Sequence, residues 1–317
     1  MGQAHPVTSA NGFSSAHSRR VSFILATKNR ASHLEKALKL ASELKKADDE
    51  LIIVDGLSSD ETLEVVRRHE GIVDVLISEP DLSEGHAFNK GILVSRGRYV
   101  KLLTDDDVIY PEAMEQAIGV MEDNPRVELL LCGGTKERAG RWHTVYLPPG
   151  VNYGRQVADV FRYGGCGIGL LIRRSSFARV GLLNPKAVAL DLDFLAQAIA
   201  GGATVRFCRI KLYQHVIEDH SGIVRRRREW EQDRQRILQQ YGLLAAFRRP
   251  RAPKGAQRVA SLARATLRQH SPAVVVSAYR RIRGRKQAVG EQGRELLQQH
   301  QERGCSDEGL VWDAGLS

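Results

Sequence analysis

Tyr99-Val100-Lys101-Leu102-Leu103-Thr104-Asp105-Asp106-Asp107 joins an apolar, strand-like run at 99–103 directly to three consecutive carboxylates. Three acids this close repel one another, and a strand end tolerates them when a divalent cation neutralises the charge. Mg²⁺ and Mn²⁺ prefer such hard oxygen ligands and bind phosphate groups at the same time. The alternative interpretation is a solvated acidic turn, and the neighbouring segments decide between the two.

The chain around this stretch repeats a pattern of apolar strand followed by helix. Apolar runs predict strands at 21–26, 51–54, 73–77 and 99–103. Leu34, Ala37, Leu38 and Ala41 recur at helical spacing between the first two runs. Strands that are apolar throughout and alternate with helices predict an α/β fold. We expect a Rossmann-like, mostly parallel sheet with helices on both faces.

Polar clusters follow each of these four strands at its carboxyl end. They are Thr27-Lys28-Asn29-Arg30, Asp55-Gly56-Leu57-Ser58, Glu79-Pro80-Asp81 and Asp105-Asp106-Asp107. Ligands of parallel sheets bind outside the carboxyl ends of the strands, because loops and helix N-termini converge there. Four such coincidences favour a binding site at this edge over an isolated acidic turn.

The second half of the chain is less regular and extends the same sheet. Strand-like runs occur at 127–132, 144–147, 167–172 and 204–210, and helices are predicted at 111–121, at 175–180 and up to Ala200. We therefore expect four segments along the chain. They are a disordered N-terminus at 1–20, one α/β domain at 21–222, a basic amphipathic helical extension at 223–290 and a polar tail at 291–317.

Charge is unevenly distributed along the 317 residues, whose net charge is +10. The segment 225–290 holds 16 arginines and two lysines against three acidic residues, a net charge of +15 that leaves the rest mildly acidic. Apolar stripes at 259–267 and 275–282 accompany these arginines and favour binding to an anionic membrane surface. Nucleic acid is not expected, because aromatic residues are few and no binding module is present. A solvated helical face is the alternative.

Two absences in the sequence bear on location. No apolar run approaches the roughly 20 residues that span a bilayer, and residues 1–20 lack the apolar centre of a signal peptide. The four cysteines, at positions 132, 166, 208 and 305, show no C-x-x-C spacing, which is typical of idle thiols in a reducing compartment. We therefore expect a cytoplasmic protein, held peripherally at the inner face of the cell membrane if the basic segment binds lipid.

The ordered blocks resemble those of the family 2 glycosyltransferases, inverting enzymes with the GT-A fold. Thr27–Arg30 is similar to the family's T-x-N-R, 54–62 to its V-D-x-x-S-x-D-x-T, 78–92 to its third block and Asp105–Asp107 to its metal-binding D-x-D. The resemblance covers 21–221, and the order of the blocks is more specific than any one of them. It implies inverting transfer of a sugar from a nucleotide-diphosphate donor, UDP-linked, with Mg²⁺ or Mn²⁺ as cofactor. The implied acceptor is a glycan or lipid-linked molecule in polysaccharide or cell-surface glycan assembly.

The resemblance also implies roles for individual residues. Thr27, Asp55 and Asp81 would line the base and ribose of the donor. Asp105 would lie near the ribose, and Asp107 would hold the metal. The same blocks add Asn29, Arg30, Asn89, Lys90 and Asp106 to the donor-binding set. As alternatives, Thr27 and Ser58 are simple helix caps and Asp55 is a turn former.

Asp191 lies where the family places its catalytic base, in Leu190-Asp191-Leu192-Asp193 before a helix. Inversion by direct displacement requires a carboxylate that removes the proton of the acceptor hydroxyl. Asp193 is two residues further on and points to another side of a helix, so one base is expected. As an alternative, Asp191 is an ordinary helix cap.

The late segment 213–221 resembles the family's His-and-Ser segment near the diphosphate. His215 and His220 each offer an imidazole to the metal or to phosphate, and we prefer His220 as a metal ligand. An ordinary surface histidine is the alternative for either residue.

Three departures from the family pattern leave other function classes open. Ser83 stands where the family usually has Gly, His86 where it usually has Asp, and Leu190 where Glu often precedes the base. One alternative is a non-catalytic scaffold that binds nucleotide sugars. Another is a sugar-1-phosphate nucleotidyltransferase, although that class needs a G-G-x-G-x-R loop after the first strand, which residues 26–30 do not supply.

Overall fold

The computed structural model describes residues 19–138, 141–145, 153–163, 166–217 and 226–247. Its strands are β1 (Val21–Thr27), β2 (Glu50–Asp55), β3 (Val75–Ser78), β4 (Tyr99–Leu103), β5 (Val108–Ile109), β6 (Leu129–Arg138), β7 (Arg141–Val145), β8 (Tyr153–Gly154), β9 (Leu170–Arg173) and β10 (Val205–Ile217). Its helices are α1 (Ala31–Leu44), α2 (Thr62–Arg68), α3 (Glu84–Val94), α4 (Pro111–Asp123), α5 (Ala158–Tyr163), α6 (Phe177–Val180), α7 (Leu190–Ala200) and α8 (Arg227–Gln240).

All ten of these strands belong to one sheet, in the order β3-β2-β1-β4-β9-β6-β10-β5, with β7 added to β6 and β8 to β10. Strands β1 to β4 pair in parallel, as the alternation of strand and helix predicts. The later strands are mixed: β6 and β10 are parallel, whereas β9 is antiparallel to both β4 and β6. Strand β7 returns on β6 after a short connection, which imposes antiparallel pairing.

The hydrophobic core lies in two layers, one on each face of the sheet. One layer joins α1 and α4 to alternate residues of the strands, with Leu34, Leu38 and Met114 fully buried or nearly so. The other joins α3 and α7 to the remaining strand residues, with Phe88 and Phe194 at its centre. The predicted α/β class with helices on both faces is confirmed.

Helix α8 packs on the α/β body, although composition places it in the basic extension. Ile237 and Leu238 are completely buried, and Trp230 and Tyr241 pack against the same core layer as α7. The compact unit of the structure continues to residue 248, past the domain boundary predicted at 222. The rest of the predicted extension from 248 onwards, the polar tail and residues 1–18 lie outside the described residues. No helix in the described part of the chain is long and apolar enough to cross a bilayer.

Gly91 tests the packing of α3 on the sheet. A Cβ atom at this position would overlap Cγ2 of Ile24 on β1 and lie 3.3 Å from Cγ2 of Val54 on β2. Gly91→Ala is therefore expected to lower the free energy of unfolding by about 1–3 kcal/mol, measured by urea denaturation, because the core is overpacked.

Gly119→Ala is the matched control, since Gly119 lies inside α4 with open space around its Cα. Here the same substitution is expected to stabilise the protein by up to about 1 kcal/mol through helix propensity alone. Stabilisation by both substitutions would contradict the described contact between α3 and β1.

Candidate active site

The loops after β1 and β2 bind each other at the carboxyl edge of the sheet. Asn29 and Leu57 both adopt the left-handed conformation, with φ of 52° and 60°. The Asn29 side-chain oxygen accepts a hydrogen bond from Ser59 N at 2.7 Å, and Asn29 N donates to Ser58 Oγ at 2.8 Å. Asn29, predicted to bind the donor, therefore joins the two loops.

Asp55 is completely buried at the end of β2 and orders the loop that follows it. Its carboxylate accepts hydrogen bonds from the Ser58 backbone and hydroxyl, and from Ser78 Oγ at 2.7 Å. The turn-forming interpretation of Asp55 thus describes its local contacts. The interpretation of Ser58 as a helix cap does not describe its contacts, because its hydroxyl donates to Asp55. Nor does Thr27 cap α1, whose N-cap residue is Arg30 without a side-chain bond.

Asp81 comes close to this loop from the end of β3. A Cβ atom on Gly56 would overlap Oδ2 of Asp81 and lie 3.0 Å from the Lys28 side chain. The absence of a side chain at Gly56 thus lets the Asp81 carboxylate lie against the loop that holds Asp55.

Asn89 and Lys90 fasten loops in the structure instead of offering free groups to a donor. The Asn89 amide donates to Leu183 O at 2.8 Å and accepts from Leu183 N at 3.0 Å. Lys90 Nζ donates to Pro80 O at 2.7 Å and pairs with Glu79 at 3.1 Å. Because the nitrogen and the oxygen of the Asn89 amide are both hydrogen-bonded to Leu183, the position of Asn89 does not support its predicted role in donor binding.

The three consecutive aspartates are the most acidic part of this edge. Arg30 Nε lies 2.7 Å from Asp105 Oδ2, and the same guanidinium lies 3.5 Å from Asp106. Thr27 Oγ1 is 3.5 Å from the same Asp105 oxygen. Burial raises the pKa of Asp105 against the opposing effect of Arg30. Burial and the charges of its two neighbours raise the pKa of Asp106.

Asp107 turns away from Arg30 and meets strand β10. Its Oδ1 lies 2.6 Å from Nδ1 of His215, and its Oδ2 accepts a hydrogen bond from Thr104. His215 was the less preferred of the two predicted histidines, and His220 lies outside the described residues. The structure therefore brings one predicted imidazole into direct contact with the predicted metal-binding carboxylate.

Asp191 lies in the first turn of α7, whose N-cap residue is Ala189. Its Oδ1 accepts from Leu192 N at 2.8 Å, and its Oδ2 accepts from Gly167 N at 3.1 Å. Asp191 thus holds the turn before β9 and is not the cap of α7. Burial raises the pKa of its carboxyl group. Asp193 is engaged elsewhere, 2.5 Å from the Arg236 guanidinium on α8.

Glu84, at the start of α3, is a fifth carboxylate that the sequence did not single out. Solvent reaches its side chain, yet the surrounding protein and the charges of Asp191 and Asp106 raise its pKa to about 7. An acidic residue in the first turn of a helix is commonly explained by its favourable interaction with the helix dipole. Nothing in the sequence therefore marked Glu84 as a site residue. We call Glu84, Asp105, Asp106, Asp107 and Asp191 the acid cluster.

Asp233 and Arg236 of α8 were also missed, because nothing in the sequence links them to α7. Asp233 Oδ2 accepts hydrogen bonds from Val188 N at 2.8 Å and Ala189 N at 2.9 Å. It therefore anchors, from another helix, the two residues that lead into α7. Arg236 bridges Asp233 and Asp193, which fixes the first turn of α7 beside Asp191.

The residues of the site fit a divalent cation in part. Carboxylate oxygens and a neutral imidazole are suitable donors for Mg²⁺ or Mn²⁺, and the mutual repulsion within the acid cluster favours a positive ion. Within the described residues, no group of three histidine, cysteine or acidic side chains is arranged to hold a metal. Such ions commonly take one or two protein carboxylates and complete their shell with substrate phosphates, and Asp107 with His215 would supply the protein share.

Solved glycosyltransferase structures share this architecture. TarS of S. aureus in complex with UDP-GlcNAc has a TM-score of 0.53 at 15% identity, covering 64% of this chain and 60% of that one. Mannosyltransferase PcManGT from Pyrobaculum calidifontis, in complex with GDP-Man and Mn²⁺, has a TM-score of 0.54 at 17% identity, covering 82% and 79%. The fold is that of the GT-A glycosyltransferases. The chain belongs to glycosyl transferase family 2, whose family model matches residues 22–181.

Sequence relatives agree with this assignment over part of their length. An uncharacterized glycosyltransferase of Rickettsia prowazekii is 26% identical over 176 residues, which is 53% of this chain and 54% of the relative. Poly(ribitol-phosphate) beta-N-acetylglucosaminyltransferase TarP of Staphylococcus aureus is 31% identical over 113 residues, 33% of this chain and 34% of TarP. The match thus spans about half of the first relative and a third of the second.

Asp233→Ala tests whether α8 stabilises α7. Removing the carboxylate leaves the backbone N–H groups of Val188 and Ala189, just before α7, without their hydrogen-bond partner. The free energy of unfolding is therefore expected to fall by about 1–2 kcal/mol in urea denaturation. Glu229→Ala on the same helix is the control, because Glu229 is exposed and pairs only with Arg226 among the described residues. Its expected cost is below about 0.5 kcal/mol. Equal effects of the two substitutions would contradict the stabilising role of Asp233.

Proposed function

We propose that this protein is a metal-dependent, inverting glycosyltransferase that transfers a sugar from a UDP-linked donor to an acceptor in polysaccharide or cell-surface glycan assembly. The observation that carries the proposal is the position of Asp191, on the helix that faces the three aspartates at the end of β4. Beside burial, the charges of Asp191 and of these aspartates contribute to the raised pKa of Glu84, which supports the grouping of the five carboxylates in one site. A donor diphosphate at the aspartates would leave Asp191 on the acceptor side.

In the proposed reaction Asp191 is the general base. Its carboxylate takes the proton of the acceptor hydroxyl while the acceptor oxygen forms a bond to the anomeric carbon and the bond from that carbon to the diphosphate breaks. Gly167 N and Leu192 N fix the direction of the carboxylate. A divalent cation at Asp107 would supply stabilisation of the negative charge on the departing diphosphate.

The donor side is proposed to lie along the loops after β1, β2 and β3. Arg30 and Asp105 would meet the ribose and phosphates, and Asp81 would meet the base across Gly56. The complex of TarS with UDP-GlcNAc supports a UDP donor, whereas the complex of PcManGT with GDP-Man shows that the same fold accepts another base.

The departures from the family pattern have local structural explanations that weaken the scaffold alternative. Nδ1 of His86 accepts a hydrogen bond from Leu82 N at 3.0 Å, and Ser83 caps α3 through His86 N at 3.1 Å. Leu190 packs at the start of α3, where a Cβ on Gly85 would lie 2.9 Å from it. These contacts hold α3 beside α7 and leave Asp191 and Asp107 unaltered.

Asp191→Asn is the direct test of the proposal. Loss of the base is expected to lower kcat by about 10²–10⁴-fold, because the amide cannot take the acceptor proton. Donor affinity is expected to stay within about threefold, since uniform binding does not involve the base. UDP release from a panel of UDP-sugars, with and without glycan acceptors, measures turnover, and calorimetry with UDP and Mn²⁺ measures affinity.

Asp193→Asn, two residues along the same helix, is the matched control and should retain kcat within about tenfold, because it acts through Arg236. Adding a chelator to the calorimetry should weaken UDP binding. A wild-type chain that binds UDP but turns over no donor would support the scaffold alternative. An Asp191→Asn variant with wild-type kcat would rule out Asp191 as the base.

We further propose that the basic segment 249–290 brings the enzyme to an anionic lipid surface, where a lipid-linked acceptor would be found. The support is the net positive charge of this segment beside apolar residues, since headgroup attraction and apolar burial act together at a membrane surface.

Reversing four charges in the full-length chain tests this attachment. The changes are Arg280→Glu, Arg281→Glu, Arg283→Glu and Arg285→Glu. Each basic residue near such a surface contributes about 1 kcal/mol, so binding to vesicles that contain phosphatidylserine should fall more than about tenfold in flotation assays. A control reverses four exposed cations of the body: Lys36, Lys46, Arg67 and Arg155. Equal flotation of the two variants would contradict the proposal.

A further inference from the structure

Lys101 is a completely buried lysine in the middle of β4, two residues before the strand ends. Its ammonium donates to Leu102 O at 3.1 Å and to Ile168 O. Among the described residues it makes no ion pair. The run 99–103 was predicted as an apolar strand, and Lys101 is the one residue in it whose side chain is charged. Packing in an apolar core does not explain this residue.

Burying an ammonium group costs several kcal/mol unless it is paired. Burial lowers the pKa of Lys101 to about 8, while the charge of Asp107 acts in the opposite direction. The nearby thiols of Cys132 and Cys166 are neutral at pH 7, because burial raises the pKa of each. An apolar side chain of similar length would fill this position at lower cost, so packing alone does not account for the lysine.

The carbonyl that Lys101 binds belongs to the short turn Gly167–Gly169, which also touches Asp191. Gly167 N donates to Asp191 Oδ2 at 3.1 Å, and a Cβ on Gly167 would lie 3.2 Å from the Asp191 Cβ. A Cβ on Gly169 would overlap the Cys132 carbonyl, so the turn is confined from the other side as well. One residue of this turn is held by Lys101, and its neighbour holds Asp191.

We propose that Lys101 is a positioning residue for Asp191, which it aligns by binding the Ile168 carbonyl of the turn that donates to that carboxylate. The inference rests on the proposed function, because it concerns the base of that reaction. Lys101 itself is buried beneath the site and reaches neither donor nor acceptor.

Lys101→Met removes the donor and the charge but keeps the length of the side chain. We expect kcat to fall by an order of magnitude or more, since small misplacement of a reacting group costs up to about 10²-fold. Donor KM should change less than about threefold, because Arg30 and the donor loops are untouched. The midpoint of urea unfolding should stay the same or rise, because a buried charge is replaced by an apolar group.

Lys101→Gln is the conservative variant, since its amide can donate to a carbonyl without carrying charge. We expect a kcat between those of the wild type and the Met variant. If the Met variant does not fold, the Gln variant alone must still show a reduced kcat at unchanged donor KM.

Arg173→Met is the matched control. Arg173 also donates to backbone carbonyls, Val127 O and Met121 O at 2.9 Å each, but it lies where β9 pairs with Tyr99 at the opposite end of β4. The Arg173→Met substitution should lower the free energy of unfolding and leave kcat of the folded protein unchanged.

Wild-type kcat in a folded Lys101 variant would overturn the inference, and so would a loss of kcat that only follows the loss of folded protein. Absence of turnover in the wild-type chain would instead overturn the proposed function, and the inference with it. The two failures are distinguished because only the second affects the wild type.

Discussion

Electrostatic repulsion within the acid cluster is the constraint on which the rest of the site depends. The cluster draws its five carboxylates from α3, the end of β4 and α7. Burial and then the charges of the other four raise the pKa of Glu84 to about 7. Arg30 opposes part of this charge by binding Asp105, and Lys101 is buried in β4, the strand that leads to the three aspartates. A site with this charge favours a ligand whose phosphates are bound together with a divalent cation.

The sequence predicted the parallel half of the sheet well because of where its strands lie. β1 and β2 are covered on both faces, so they are apolar throughout and stand out from their surroundings. β10 was predicted to end at 210 and continues to Ile217, because its last part lines the site with polar residues such as Gln214 and His215. The antiparallel position of β9 was not predicted, since local pattern does not specify strand direction.

The candidate site also combines residues that the sequence indicated with residues that only the structure reveals. Asp105 and Asp107 were singled out because they directly follow a strand, and Asp191 because its segment resembles that of the family's catalytic base. Glu84 was missed because a helix start explains an acidic residue at that position. His215 was ranked second, and its partner Asp107 is 108 positions away along the chain. Asn89 was assigned to the donor from its block, whereas its amide fastens Leu183. Such contacts depend on tertiary packing, which a single sequence does not display.

The position of α8 shows why composition and contacts place the domain boundary differently. Composition changes near 222 because the following segment is rich in arginine. Docking needs far fewer residues: Ile237 and Leu238 enter the core, and Asp233 and Arg236 secure the start of α7. Four residues scarcely alter the composition of a helix, yet they make it part of the structure that orients Asp191. The compact unit therefore extends into the basic segment, whose first described helix, α8, supports the start of the helix that carries the proposed base.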